Sequence, residues 1–220
     1  MPKSLIPTCT YQQLHIRSRG YIPHWELRNA IYSITYRLHD SLPREVLYRL
    51  QRDHEQRIRV VTGGTREPTA IENARLRFIF ERKLDEELDR GWGAAHLRND
   101  EMAAAVAENL AFHDGKLYDL LAWCVMPNHV HAVICAHADL DDIFHSWKSY
   151  TAHRAAKIVG VRKFWAREYW DRMVRNEEDL NRTIRYVLEN PLKAGLADWT
   201  WVGSAGEAAG GPAGGPPARH

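Results

Sequence analysis

Residues Met126-Pro-Asn-His-Val-His131 lie between two apolar runs, Leu120 to Val125 before them and Val133 to Cys135 after. The runs are rich in β-branched and aromatic residues and read as strands, with Pro127-Asn128 as the turn between them. Side chains two apart on a strand point the same way. His129 and His131 therefore share one face, and Val130 faces the opposite layer. Two neutral imidazoles placed so can hold one divalent cation. A metal fixed beside a strand suits chemistry on an oxyanion such as a phosphodiester. The same spacing also occurs in zinc hydrolases, cupin-like barrels and metal-free sites. Stacking or hydrogen bonding is the plainer alternative.

Length bounds the architecture. At 220 residues the chain is long enough for one sizeable domain and short for two. Its 45% hydrophobic and 26% charged residues are those of an ordinary globular protein. The formal net charge of +2 says little about partners, but its distribution says more. Between residues 148 and 195, eleven Lys or Arg face six Asp or Glu, among Trp147, Tyr150, Trp165, Tyr169, Trp170 and Tyr186. Cations mixed with aromatics suit a polyanion with bases to stack. A solvated helix face over an aromatic core gives the same composition. Cys9, Cys124 and Cys135 form neither a CxxC pair nor a disulfide framework. No apolar run reaches membrane-spanning length and the first twenty residues have no signal core, so a cytoplasmic protein with no membrane association is expected.

The element pattern predicts an α+β fold. Residues 1 to about 28 read as irregular, and Ile31 to Leu38 as the first strand. A helical insertion spans about 44–90, in two charged helices broken at Thr62-Gly-Gly-Thr65. A third helix follows from Asn99 or Asp100, then the strand pair, then a long helix from about Asp139 to Val159. Phe164 to Val174 reads as a fourth, extended strand. A last helix runs from Glu177 to Asn190, capped by Asn176 and stopped by Pro191. Without the insertion the order is βαββαβ, which predicts a ferredoxin-like antiparallel sheet within a single domain over 1–202. Gly203 to the end is Gly- and Pro-rich and is expected to be a disordered tail.

The last helix carries a second constellation. Leu180, Ile184, Val187 and Leu188 form its apolar stripe. Arg182, Tyr186 and Asn190 lie on another face, and Tyr186 and Asn190, four apart, project side by side. Tyr186 is a candidate nucleophile and Asn190 a candidate oxygen ligand beside the two histidines. A half-buried tyrosine and a helix-terminal asparagine fit the same pattern.

Four segments occur together and in order: Met126 to His131, Trp147-Lys-Ser-Tyr-Thr-Ala152, Phe164-Trp-Ala-Arg-Glu-Tyr-Trp-Asp-Arg-Met-Val-Arg175, and Arg185-Tyr-Val-Leu-Glu-Asn-Pro-Leu-Lys-Ala-Gly-Leu196. In this the chain resembles the REP-associated tyrosine transposases, within the single-tyrosine HUH transposases. The resemblance covers roughly 30–40 and 95–200 and leaves the insertion unexplained. It implies a single-stranded DNA endonuclease with strand transfer, working near hairpin sequences through a 5′-phosphotyrosine. On it, Tyr186 is the catalytic residue carried by the C-terminal helix. His129, His131 and Asn190 hold Mg2+ or Mn2+, Asn190 standing where insertion-sequence relatives have Gln. Lys148, Arg185, Arg182 and Arg172 are candidate DNA contacts, and the protein acts as a monomer or homodimer. Two other readings stay open: a hairpin-DNA-binding protein that no longer cleaves, and an unrelated zinc hydrolase, which lacks an HxHxD continuation here.

Overall fold

A computed structural model describes residues 15–19, 22–26 and 29–205. The chain divides into two units, one of residues 40–95 and one of the remainder. The larger unit is built on a five-stranded antiparallel sheet, comprising β3 (Ile31–Leu38), β4 (Tyr118–Val125), β5 (His129–Ala136), β6 (Trp165–Met173) and β7 (Val202–Ser204), in the order β6-β3-β5-β4-β7. Helix α3 (Asp100–Phe112) joins the sequence between β3 and β4, and α4 (Leu140–Ile158) connects β5 to β6. Strands β3 to β6 thus have the order expected of a ferredoxin-like βαββαβ sheet. Helix α5 (Glu177–Lys193) follows β6.

The two sheet faces bury different sets. Tyr32, Ile34 and Tyr36 of β3 and Val130, Ala132 and Ile134 of β5 pack with Met102, Val106 and Leu110 of α3 and with Ile143, Phe144 and Trp147 of α4. Two polar groups are paired inside this layer: Tyr118 donates to the Leu110 carbonyl at 2.7 Å, and Trp147 Nε1 donates to the Tyr118 hydroxyl at 2.8 Å. The opposite face buries Ile31, Ala122, Cys124 and Val133 against Leu180 and Val187 of α5. A register shift between Leu120 and Ala122 makes this possible. The extra residue reverses the alternation, so Leu120 and Trp123 both face α3 and α4 while Ala122 and Cys124 face α5.

Three sequence expectations change. Residues 15–19 and 22–26, read as irregular, form a separate antiparallel pair, β1 (His15–Arg19) and β2 (Ile22–Glu26). Its first strand has no apolar alternation to reveal it. Pro191 does not stop α5, which continues to Lys193. In the last turn a proline removes a single intrahelical donor, and the chain closes with Ala194 N–H on the Asn190 carbonyl and Leu196 N–H on the Pro191 carbonyl. Gly203, read as the start of a tail, instead pairs with Trp123 in the edge strand β7. A Cβ there would lie 2.8 Å from Trp123 Nε1, so glycine is required by close approach to the indole. Residues 206–220 and Cys9 lie outside the described residues.

The smaller unit is a helix pair, α1 (Arg44–Thr62) and α2 (Ala70–Leu88). Ion pairs Arg49–Glu87 and Lys83–Asp53, both 2.7 Å, fix an antiparallel arrangement. Thr69 and Glu72 form a capping box at the start of α2. No helix among the described residues is long and apolar enough to cross a membrane.

Candidate active site

Strand β5 delivers the two histidines as alternation requires. His129 and His131 are both buried, with ring centroids 4.7 Å apart and planes nearly perpendicular. Their Nε2 atoms are 3.0 Å apart. Each ring is oriented through its other nitrogen: His129 Nδ1 lies 2.7 Å from Asn128 Oδ1, and His131 Nδ1 lies 2.9 Å from Thr35 Oγ1. Burial, then the neighbouring His131, holds the His129 pKa well below the ordinary imidazole value. Burial pushes His131 down to about 4. Both rings are therefore neutral at neutral pH, the state a metal ligand needs.

Helix α5 brings the second pair. The Tyr186 ring is half-buried and edge-on to His131, 5.8 Å between centroids, with Lys193 Nζ 4.9 Å from the tyrosine ring centre. One turn further on, Asn190 is 1% exposed, and neither its Oδ1 nor its Nδ2 has a hydrogen-bond partner. A buried amide without partners costs roughly 1–3 kcal/mol, so it is retained only for a purpose or a ligand.

The donor set fits a hard to borderline divalent cation. Cis ligands about 2.1 Å from an octahedral ion are about 3.0 Å apart, which is the spacing of the two Nε2 atoms. The two imidazoles, with the unpartnered Asn190 amide as a candidate third ligand, would suit Mn2+ or Mg2+. Among the described residues, no further His, Cys, Asp or Glu ligand atom is grouped with this pair.

The other candidates fall elsewhere. Lys148 Nζ donates to the carbonyls of Ala166 and Arg167 at 2.9 and 3.1 Å, tying α4 to the exposed edge of β6. Burial lowers its pKa to about 8. It sits with Phe144 and Tyr169, on the sheet face away from the histidines. Arg172 binds Asp179 at 2.7 Å and Thr183 at 2.8 Å, and Arg182 reaches Asp179 at 3.0 Å. Both arginines thus anchor the start of α5. Arg185 is exposed on the same helix. Of the competing tyrosines, Tyr150 is exposed on α4 and Tyr169 is stacked on Phe144 with centroids 3.5 Å apart.

Three site residues have no signal of their own in the sequence. Thr35 is the cross-strand partner of His131, and Arg37 of His129. Directly opposed residues share a face, which places Arg37, 4% exposed and 5.7 Å from the Trp170 ring centre, beside the histidines. Asn128 lies within the histidine motif, but its role needs the turn geometry.

Residues 97–190 match the family model described as "Transposase IS200 like". That stretch is similar to the IS200-like transposases. It runs from just before α3 to Asn190 and so contains all four of His129, His131, Tyr186 and Asn190. The chain is 26% identical over 86 residues to a REP-associated tyrosine transposase of Escherichia coli (strain K12), a match covering 37% of this chain and 52% of that protein. The chain therefore spans about half the length of this curated relative. Among solved structures, a REP-associated tyrosine transposase bound to a REP hairpin is similar, with 16% identity, a TM-score of 0.43 and coverage of 84% of this chain and 81% of that one. So is a putative transposase from Deinococcus radiodurans R1, with 14% identity, a TM-score of 0.29 and coverage of 79% and 96%.

Proposed function

We propose that this chain is a metal-dependent single-stranded DNA endonuclease and strand-transfer enzyme, a transposase acting near hairpin sequences. The observation that carries the reading is the placement of the Tyr186 ring 5.8 Å from His131, whose Nε2 meets that of His129 at 3.0 Å. A nucleophile candidate and a ligand pair from distant parts of the chain share one face of the sheet. The substrate class follows from the motif resemblance and from the curated relative, a REP-associated tyrosine transposase.

The Tyr186 hydroxyl attacks phosphorus. The new bond joins the phenol oxygen to phosphorus, the bond to O3′ breaks, and the departing oxygen leaves as a free 3′-OH. The product on the protein is a 5′-phosphotyrosine. The link retains the energy of the broken ester, so a 3′-OH can attack it later and no ATP is needed. His129, His131 and Asn190 would hold Mg2+ or Mn2+. Such an ion, when bound, offsets charge on the phosphoryl oxygens. Asn128 and Thr35 orient the two rings toward it. Lys193 adds positive charge beside the tyrosine ring, and Arg37 does so on the histidine side.

Nicking of a hairpin-bearing single strand tests this reading. Cleavage is expected with Mg2+ or Mn2+, none with EDTA, and none for His131→Ala at low Mn2+. Cleavage that continues unchanged in EDTA would remove the metal from the mechanism.

A further inference from the structure

The far end of the β4–β5 pair carries a second group of ligand atoms. Asp119 and Cys135 are cross-strand partners and share a face. His137 lies two residues beyond Cys135, and its Nε2 is 3.1 Å from Asp119 Oδ1. One ligand atom from each of Asp119, Cys135 and His137 lies within 4.8 Å of the other two. The imidazole is held from behind, with Nδ1 3.3 Å from Asn29 Oδ1. An outer partner of this kind orients a metal-binding histidine. The backbone supporting it is pinned as well: Asn29 N–H donates to the Ala136 carbonyl at 2.7 Å, and His137 N–H to the Leu117 carbonyl at 2.8 Å. Asn29 takes a positive φ of 60°, which asparagine tolerates better than most residues.

We propose that Asp119, Cys135 and His137 form a binding site for a thiophilic divalent cation of the zinc class, separate from the histidine pair. A thiolate, an imidazole and a carboxylate are the donors zinc takes at about 2.3 Å for sulfur and about 2.0–2.2 Å for nitrogen and oxygen. Tetrahedral ligands at those lengths are about 3.3–3.6 Å apart. The His137–Asp119 pair is already at 3.1 Å and no separation in the group exceeds 4.8 Å; the Asp119 and His137 side chains, 51% and 35% exposed, have room to adjust. Three protein ligands leave a fourth position for water. Cys135 is four residues from His131 on the same strand, about 13 Å along it. The two sites differ in softness: one offers sulfur, while the other offers imidazoles and an amide oxygen. They are therefore expected to sort cations, zinc-class ions at Cys135 and magnesium-class ions at His131. A bound ion would cross-link β4, the end of β5 and, through Asn29, the entry to β3. None of this depends on the nuclease reading.

Co2+ is the probe, titrated into the full chain with its thiols reduced. The expected result is a thiolate-to-cobalt charge-transfer band in the near ultraviolet, displaced by Zn2+ and not by excess Mg2+. Cys135→Ser should remove the band. Asp119→Asn and His137→Ala should each weaken Co2+ binding by about tenfold or more, and His129→Ala should leave the band in place. No band in the wild-type protein, or a band that survives Cys135→Ser, overturns the proposal. Should Cys135→Ser fail to fold, the two partly exposed positions decide: wild-type Co2+ affinity in both Asp119→Asn and His137→Ala overturns it.

Discussion

At the scale of the residue, Thr35 has a role that no motif records. A bound cation would take both Nε2 lone pairs, leaving both Nδ1–H groups to donate outward to Asn128 and Thr35. Without one, two lone pairs 3.0 Å apart repel, so one ring must carry its proton on Nε2. The Asn128 oxygen can only accept, which keeps His129 as the Nδ1–H tautomer. The change falls on His131, whose Nδ1 then accepts from the Thr35 hydroxyl. Threonine serves both states, whereas valine serves neither. Thr35→Val is therefore expected to weaken Mn2+ binding by about 10–100-fold, measured by calorimetry, with the fold intact. The shared face of His129 with His131, and that of Tyr186 with Asn190, were legible in the sequence because spacings of two on a strand and four on a helix fix a face without knowledge of the fold. Thr35 and Arg37 were not legible, because cross-strand register is decided by tertiary pairing. The charge excess over 148–195 is partly engaged within the fold: Lys148, Arg172 and Arg182 meet carbonyls or Asp179.

At the scale of the element, the start of α5 is held by Asp179. Burial pushes this carboxyl up, but Arg172, Arg182 and the Arg175 N–H outweigh it, and the net pKa is lowered. A carboxylate lowered in the folded state contributes stability above its unfolded value of about 3.9, which is lost as pH falls through the folded value. Asp179→Asn is expected to cost about 2 kcal/mol at pH 7 in urea unfolding, with the difference from wild type shrinking in strong acid. Asp89 in the smaller unit has the opposite sign. Burial raises its pKa to about 6, it caps the C-terminal end of α2, and its Oδ1 has no partner. A charge of that sign at that end opposes the helix dipole. The folded state binds the extra proton between about pH 4 and 6, so ionised Asp89 destabilises above pH 6. Asp89→Asn should raise the melting temperature at pH 7.5 and give no gain near pH 4. The helices themselves were legible from caps and breakers. The continuation of α5 past Pro191 was not, because a proline in a last turn removes too little to end it. Nor was β7, because Gly203 is there for the Trp123 indole rather than for a turn.

At the scale of the whole molecule, the order of strands was readable once the 44–90 segment was set aside. The segment is a helix pair inside a separate unit, residues 40–95, and its composition gives no chemistry. The β4 register shift was not readable, yet it sets which residues of that strand face α5 and which face α3 and α4. Hairpin DNA should bind without metal, and its affinity should fall with salt, with a log–log slope of about −0.7 per phosphate contact on single strands. A slope near zero in fluorescence anisotropy titrations would exclude phosphate contacts as the source of affinity. The most direct measurement is the covalent protein–DNA adduct formed on a hairpin-bearing single strand with Mg2+ or Mn2+, separated on a denaturing gel. Tyr186→Phe keeps the ring and loses one oxygen. It is expected to give no adduct at any Mn2+ concentration while binding the hairpin nearly as well as wild type, and Tyr150→Phe and Tyr169→Phe should still form the adduct. An adduct formed by Tyr186→Phe, or none formed by the wild-type protein, would contradict Tyr186 as the nucleophile.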